Sequence, residues 1–287
     1  MKIYILPVKS EFQPSTISVT YPAHNKGFKD AEELFLSYLQ NHHNLITPDP
    51  AEADWHYLPI LWTHWLVNHK FGTVDLDKLQ AEANRSIIDS SKTFTIYEYA
   101  EQPKINLGNT IVFLGSRTAL DGLDIPLLCA KHPYRYNENK VYKANFVGSL
   151  TTHPSRKEML QKLAHRRDIN IQGGGGTEAF VSMMLQSYIA LCPRGYGGAS
   201  YRFYEAMQLG CIPFLIGDID HRPFKKFLDW SQVSFYTKSI NEIERIIDEF
   251  DNEFLLQMGI NAKSFYDTNL ADGNWCKYIL KELELLR

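Results

Sequence analysis

Two arginines and a glutamate lie close together in residues 191–218, LCPRGYGGASYRFYEAMQLGCIPFLIGD. Arg194 and Arg202 each carry a planar guanidinium group, which suits bidentate binding of a phosphate. Glu205 follows Arg202 by three residues, so both side chains share one face if the segment is helical. A carboxylate there would repel phosphate but can accept hydrogen bonds from both hydroxyls of a ribose. The spacing predicts a nucleotide-diphosphate site; the alternative is a solvated Arg202–Glu205 pair worth at most ~0.5 kcal/mol.

The segment around these residues is typical of a strand, a glycine-rich turn, a short helix and a second strand. Residues 195–198 hold three glycines, Ser200 is a favourable N-cap, and Gly210 is a favourable helix stop. Residues 212–216 are apolar and predict a buried strand. Because a helix N-terminus has unpaired N–H groups and a positive dipole end, the turn is expected to bind an anion.

The residue order from 200 to 218, SYRFYEAMQLGCIPFLIGD, resembles the exostosin family (glycosyltransferase family 47), where S-x-R-x-x-E-A-x-x-x-G-C-I-P precedes an acidic residue. RPFKKFLDWSQVSF at 222–235 resembles that family's continuation, and TPDPAEADWHYLPI at 47–60 and YKANFVGSL at 142–150 are looser matches. The resemblance covers about residues 45–240. It implies the GT-B fold, an α/β architecture of two Rossmann-like domains that face one another across a cleft.

Composition places the chain among soluble globular proteins. Its 287 residues are 44% hydrophobic and 22% charged, and its formal charge of −3 gives no general attraction to nucleic acid. No stretch approaches the ~20 apolar residues of a membrane span, and MKIYILPV is too short for a signal peptide. The four cysteines are scattered, which favours reduced core residues. We therefore expect a cytoplasmic protein with no nucleic-acid partner and no membrane segment.

Alternating strand and helix patterns run along the whole chain and favour parallel sheets with crossover helices. We expect an N-terminal acceptor-side domain at 1–135 and a C-terminal nucleotide-sugar donor domain at 136–287, and it stays open whether the last helix packs back on the first domain. The predicted strands lie at 3–8, 55–61, 93–97, 110–114, 143–147, 169–171, 188–192 and 212–216. The predicted helices lie at 30–40, 76–88, 158–164, 179–186, after 200, and at 240–250.

The expected donor-binding residues follow predicted strands, where ligands of parallel sheets gather. They are Gly148, Ser149, Arg194, Gly195, Ser200, Tyr201, Arg202 and Glu205. Arg156 is a candidate catalytic residue because its charge can stabilise the departing nucleoside diphosphate; the alternative is a surface charge beside Lys157.

With these arginines the sequence predicts no metal and no other cofactor. An Asp-x-Asp triplet at 218–220 is the contrary signal, since such triplets chelate Mn²⁺ or Mg²⁺ in GT-A glycosyltransferases. Such short acidic motifs are frequent by chance, and residues 75–77 match equally well.

Transfer with inversion needs a general base for the acceptor hydroxyl. Asp75 and Glu98 are the catalytic candidates, with His64 behind them in an expected loop. Each has a structural alternative: Asp75 as a helix cap, Glu98 as a surface ion pair, and His64 packed among aromatic rings. Trp62, His64 and Trp65 are the acceptor-side candidates, because flat apolar faces stack on sugars; burial in the core is the alternative for the tryptophans.

The favoured function is transfer of a sugar from a nucleotide sugar to a saccharide hydroxyl. The resemblance, not the composition, implies inversion of configuration and a UDP-sugar donor. Two other functions stay open, a non-catalytic sugar- or nucleotide-binding module of the same fold and a sugar-nucleotide epimerase.

Overall fold

The computed structural model describes residues 1–17, 30–133, 137 and 139–287. It divides into two compact units, the first made of Met1–Leu128 with Asp272–Arg287 and the second of Cys129–Ala271. The structural division thus falls somewhat before the predicted one, and the C-terminal segment belongs to the first unit. Within the described ranges, no helix has the length and apolar character needed to cross a bilayer.

The first unit is built on a parallel sheet in the order β1-β2-β3-β4-β5. Its strands are β1 (Ile3–Ile5), β2 (Trp55–Tyr57), β3 (Thr93–Tyr97), β4 (Ile111–Leu114) and β5 (Leu123–Asp124). Its helices include α1 (Ala31–Asn41), α2 (Trp62–Asn68) and α3 (Leu76–Ser86). The strands follow one another across this sheet in chain order, so the strand order of the described residues does not reverse within it.

The second unit is built on a parallel sheet in the order β10-β9-β8-β6-β7. Its strands are β6 (Tyr142–Val147), β7 (Ile169–Gln172), β8 (Ser187–Pro193), β9 (Ile212–Ile216) and β10 (Phe235–Thr237). Its helices are α4 (Pro154–Leu163), α5 (Thr177–Leu185), α6 (Tyr201–Gln208), α7 (Ile243–Asp248) and α8 (Asn252–Asn269), after which α9 (Cys276–Leu285) returns to the first unit.

Strand order in the second unit reverses between β6 and β8. The chain passes from β6 to β7 on one side, then crosses to β8 on the other. In open α/β sheets, ligands bind outside the carboxyl ends of the strands at such a switch point. The predicted α/β class and its two parallel sheets are confirmed, and the sheet that carries the donor candidates has the switch point they require.

Three local predictions are corrected. The expected loop after residue 61 contains α2, whose Trp62, Trp65 and Leu66 at helical spacing are buried in the core. The strands expected at 3–8 and 55–61 stop at Ile5 and Tyr57. A proline follows each strand within two residues and cannot donate to a sheet, which favours an early end.

Candidate active site

The candidate site is built where β6 and β8 end in the second unit. Gly148 follows β6, and residues 194–200 join β8 to α6. Apolar side chains on these strands, including Phe146 and Leu191, are fully buried and fix the strand ends. The loops that follow the two strands are therefore anchored at one end to a rigid sheet.

Arg202 is a buried guanidinium at this switch point. Its Cζ lies 4.2 Å from the centroid of the Phe146 ring, and its Nη2 donates to the Val147 carbonyl. Its Nε is buried and has no partner among the described residues. Gly148 has φ +152°, and a Cβ there would collide with Arg202 Nη2. Gly148 therefore leaves room for Arg202 itself, a reason the sequence did not supply.

Arg156, in the first turns of α4, ties the two strand ends together. It donates to the carbonyls of Ser149 (2.8 Å), Arg194 (2.9 Å) and Pro193 (3.2 Å). Burial, and then the positive charge of Arg202, lower the pKa of Arg156 to about 10. Two guanidinium groups thus stand close enough to repel each other, and an anion bound beside them would relieve that repulsion.

The glycine-rich loop presents main-chain donors. Among the described residues, no acceptor takes the N–H groups of Gly195, Tyr196, Gly197 or Gly198. Ser200 is the N-cap of α6, as predicted, but its side chain makes no capping bond. Successive unpaired N–H groups before a helix form a concavity that suits an oxyanion.

Arg194 and the Asp-x-Asp triplet are joined to one another. Arg194 Nη1 contacts Asp218 Oδ1 at 2.8 Å and Oδ2 at 2.9 Å. Asp220 accepts from Arg222 at both oxygens, each at 2.9 Å. Each carboxylate of the triplet is therefore paired with an arginine.

Glu205 has a partner that the sequence did not reveal. His132 Nε2 lies 3.1 Å from Glu205 Oε1, and both side chains are largely buried. The main-chain N–H of His132 donates to Gln208 Oε1, one turn further along α6. His132 precedes the predicted domain boundary and lies 73 positions before Glu205, so no local pattern links the two residues.

The remaining donor candidates lie at the edge of this group. Ser149 is exposed, and its hydroxyl contacts that of Thr151 at 3.0 Å. Tyr201 is the first residue of α6 and is half-buried. Tyr196, which we did not select from the sequence, is 79% exposed in the glycine-rich loop and presents an aromatic face to solvent.

A cavity of about 570 Å³ lies on the β9–β10 side of Arg194. Polar and charged groups that line it include His153, Ser155, Asp218 and Lys238. Arg194 is the one predicted donor residue among its described lining residues. The sequence did not predict this cavity, because its walls come from four separate segments.

The catalytic and acceptor-side candidates of the first unit have contrasting surroundings. Asp75 is partly exposed and pairs with Lys78 Nζ at 2.8 Å, whose hydrogen bond lowers the pKa of Asp75. Glu98 is buried, and its two oxygens accept the N–H groups of Ala31 (2.7 Å) and Leu128 (2.6 Å). Burial raises the pKa of Glu98 well above its ordinary value. Its carboxyl group therefore holds the main chain, and the alternative of a surface ion pair is wrong.

His64, Trp62 and Trp65 lie on α2. Both tryptophans are no more than 2% exposed and pack in the core, so neither offers a face to a sugar. The ring of His64 is engaged on both sides, by the Pro14 carbonyl at Nδ1 (2.9 Å) and by Asp30 and Glu33 at Nε2. The expectation that these three residues bind an acceptor is not supported by their positions.

Known proteins share the sequence pattern of this chain. The Exostosin GT47 domain model matches residues 63–250, well over half of the chain. The fold is that of an α/β protein with two parallel sheets. The chain belongs to the exostosin GT47 family, a family of glycosyltransferases, which confirms the resemblance found in the sequence.

Individual relatives are distant. The chain is 28% identical over 156 residues to a probable glucuronosyltransferase of Oryza sativa subsp. japonica, covering 51% of this chain and 36% of that protein. It is 20% identical to the Exostosin-1 homolog of Caenorhabditis elegans, covering 94% of this chain and 81% of that protein. The chain spans at most about a third of the first curated relatives that it matches.

Solved structures offer a more remote likeness. A TarM variant of S. aureus, crystallised in complex with fondaparinux, alpha-GlcNAc-glycerol and UDP, superimposes with a TM-score of 0.38 at 10% identity. The alignment covers 79% of this chain and 61% of that one. The family assignment therefore rests on the sequence match.

Proposed function

We propose that the chain transfers a sugar from a UDP-sugar to a saccharide hydroxyl with inversion, and that no metal takes part at the donor site. The observation that carries the proposal is the loop at 195–198, whose N–H groups lack acceptors within the described residues beside the buried Arg202. A pyrophosphate supplies the acceptor oxygens and the negative charge that this loop lacks.

The residues around the loop divide the work of donor binding. Glu205, held at Oε1 by His132, turns its other oxygen to a ribose hydroxyl. Arg156 keeps the ends of β6 and β8 together and adds positive potential as charge develops on the leaving diphosphate. The arginine pairs of Asp218 and Asp220 support the assignment of charge neutralisation to guanidinium groups rather than to a chelated metal.

Asp75 is the general base that we retain for testing. Of the three candidates, only Asp75 has a basic group in contact with solvent. Glu98 is buried, and both ring nitrogens of His64 are engaged. Asp75→Asn keeps the size of the side chain and removes the basic oxygen. We expect it to reduce transfer while leaving the affinity for UDP unchanged.

The test measures UDP binding by calorimetry, then UDP release with UDP-sugars and a panel of saccharide acceptors. We expect UDP to bind equally well with EDTA or with Mg²⁺, and UDP release to require an acceptor. Binding without release would make the chain a binding module, and interconversion of donor sugars without an acceptor would make it an epimerase. Failure to bind UDP would overturn the proposal.

A further inference from the structure

A second cluster of chemical groups lies in the first unit, outside the donor site. Asp30, Glu33 and His64 each offer one ligand atom, and these three atoms lie within 4.8 Å of one another. Asp30 is the N-cap of α1 and Glu33 its third residue, while His64 lies in α2. The capping box of α1 fixes the two carboxylates, and the buried α2 fixes the imidazole.

The tautomer of His64 is fixed by the main chain. A carbonyl can only accept, so the contact of 2.9 Å between His64 Nδ1 and the Pro14 oxygen requires a proton on Nδ1. In the neutral ring, Nε2 then carries the lone pair, and it faces Asp30 and Glu33. Histidines that bind metals almost always donate their other ring N–H to a carbonyl or a carboxylate in this way.

The two distances from the imidazole are close to those expected around a shared cation. His64 Nε2 lies 3.2 Å from Asp30 Oδ2 and 3.4 Å from Glu33 Oε2. Charged hydrogen bonds are shorter, about 2.7–2.9 Å. Ligands about 2.0–2.2 Å from a tetrahedral Zn²⁺ lie about 3.3–3.6 Å from one another.

Two carboxylate oxygens in this region are buried without a hydrogen-bond partner among the described residues. Asp30 Oδ2 is buried and accepts no well-aligned hydrogen bond from the described residues. Glu32 is fully buried beside it, with Oε2 also lacking a partner in that part of the chain. A buried carboxylate is costly unless a proton, a hydrogen bond or a cation compensates it.

We propose that Asp30, Glu33 and His64 bind one divalent transition-metal ion, joining the start of α1 to α2. Two carboxylates and one imidazole suit Zn²⁺ or Mn²⁺ better than Ca²⁺, which prefers oxygen ligands alone. The site lies within the first unit and is independent of the proposed sugar transfer. Its role in the first unit is to neutralise buried acid and hold two helices together.

The test titrates Zn²⁺, and separately Mn²⁺, into the chelator-stripped full chain against a chromophoric competitor. We expect one tight site per chain and a higher Tm with metal. Glu33→Gln should weaken binding at least tenfold while keeping the fold, because glutamine also completes a capping box. His64→Gln should do the same, whereas His69→Gln, a matched change at the end of α2, should bind like the wild type.

Two results would overturn this site. One is that the wild type binds no metal ion tightly. The other is that the Glu33→Gln and His64→Gln variants bind the metal as tightly as the wild type, when circular dichroism shows both variants folded. In either case the cluster is an ion triad, in which Asp30 and Glu33 outweigh the effect of burial and raise the pKa of His64 to about 10.

Discussion

His132 Nε2 and Glu205 Oε1 lie 3.1 Å apart although 73 residues separate them in the sequence. Gln208, on the same face of α6, accepts the main-chain N–H of His132 and fixes the segment that carries the imidazole. In the described part of the chain, Glu205 Oε2 has no hydrogen-bond partner. The pair thus leaves one carboxylate oxygen in a defined direction, available to a ligand.

We predict that Glu205, positioned by His132, binds the ribose hydroxyls of the nucleotide. Glu205→Ala should weaken UDP binding by roughly 1.5–3 kcal/mol, about tenfold to a hundredfold, through the loss of hydrogen bonds to a charged group. The same variant should bind UDP and 2′-deoxy-UDP almost equally. His132→Ala should reduce the difference in affinity between UDP and 2′-deoxy-UDP, although Glu205 is still present. Calorimetry with both ligands measures this difference.

His165→Ala is the control for that measurement, because His165 is an exposed histidine of the same unit that pairs with Glu244. It should behave like the wild type. If UDP binds normally but His132→Ala leaves the discrimination against 2′-deoxy-UDP intact, His132 does not position Glu205.

Gly148→Ala should displace Arg202 and so reduce UDP affinity. The added methyl group would meet the guanidinium group, and φ +152° is unfavourable for alanine. We expect at least a tenfold loss in calorimetry. Gly176→Ala is the matched control, since a Cβ there has open space around it. Equal UDP affinity of the two variants would show that the position of Arg202 does not matter for binding.

Arg156→Ala should lower both stability and turnover. Three carbonyl groups would lose their donor, which corresponds to about 2–4 kcal/mol in the free energy of unfolding. Urea denaturation measures that loss. At a temperature where the variant is folded, kcat should fall more than UDP affinity, because charge on the leaving group develops during transfer. Equal losses in the two would speak against leaving-group stabilisation.

The N-cap of α4 predicts a pH dependence of stability. His153 Nδ1 accepts the Ser155 N–H at 3.3 Å, which requires a neutral ring. Burial, and then the charge of Arg194, lower the pKa of His153 below its ordinary 6.5. The folded state therefore binds fewer protons than the unfolded state. The capping contribution is present above pH 6.5 and is lost as the pH falls through the folded-state pKa.

His153→Asn tests that dependence, because asparagine is a good N-cap that does not titrate. Denaturation at pH 7.5 and at pH 5.0 should show a smaller loss of stability in the variant than in the wild type. The same loss in both would exclude His153 as its source.

Local patterns predicted the strands and helices that carry the donor residues. Ser200 and Gly210 mark the limits of α6, and the apolar run at 212–216 is β9, because caps and strand periodicity depend on neighbours in the chain. Helix α2 was not predicted, because its tryptophans were also consistent with aromatic residues in a loop.

Contacts between distant segments could not be read from the sequence. Arg156 bonds to carbonyls up to 38 residues away, and no residue type indicates a main-chain acceptor. Glutamate is usually a surface residue, yet the fold buries Glu98 against the start of α1. Burial of charge of this kind depends on topology rather than on local spacing.

The main-chain N–H groups of residues 195–198, with Arg202, are proposed to bind a pyrophosphate. A crystal structure of the full chain with UDP tests it most directly. The diphosphate oxygens should lie within about 3.2 Å of those nitrogens, with the ribose at Glu205. Well-defined UDP elsewhere, or a loop that stays empty at saturating UDP, would contradict the account.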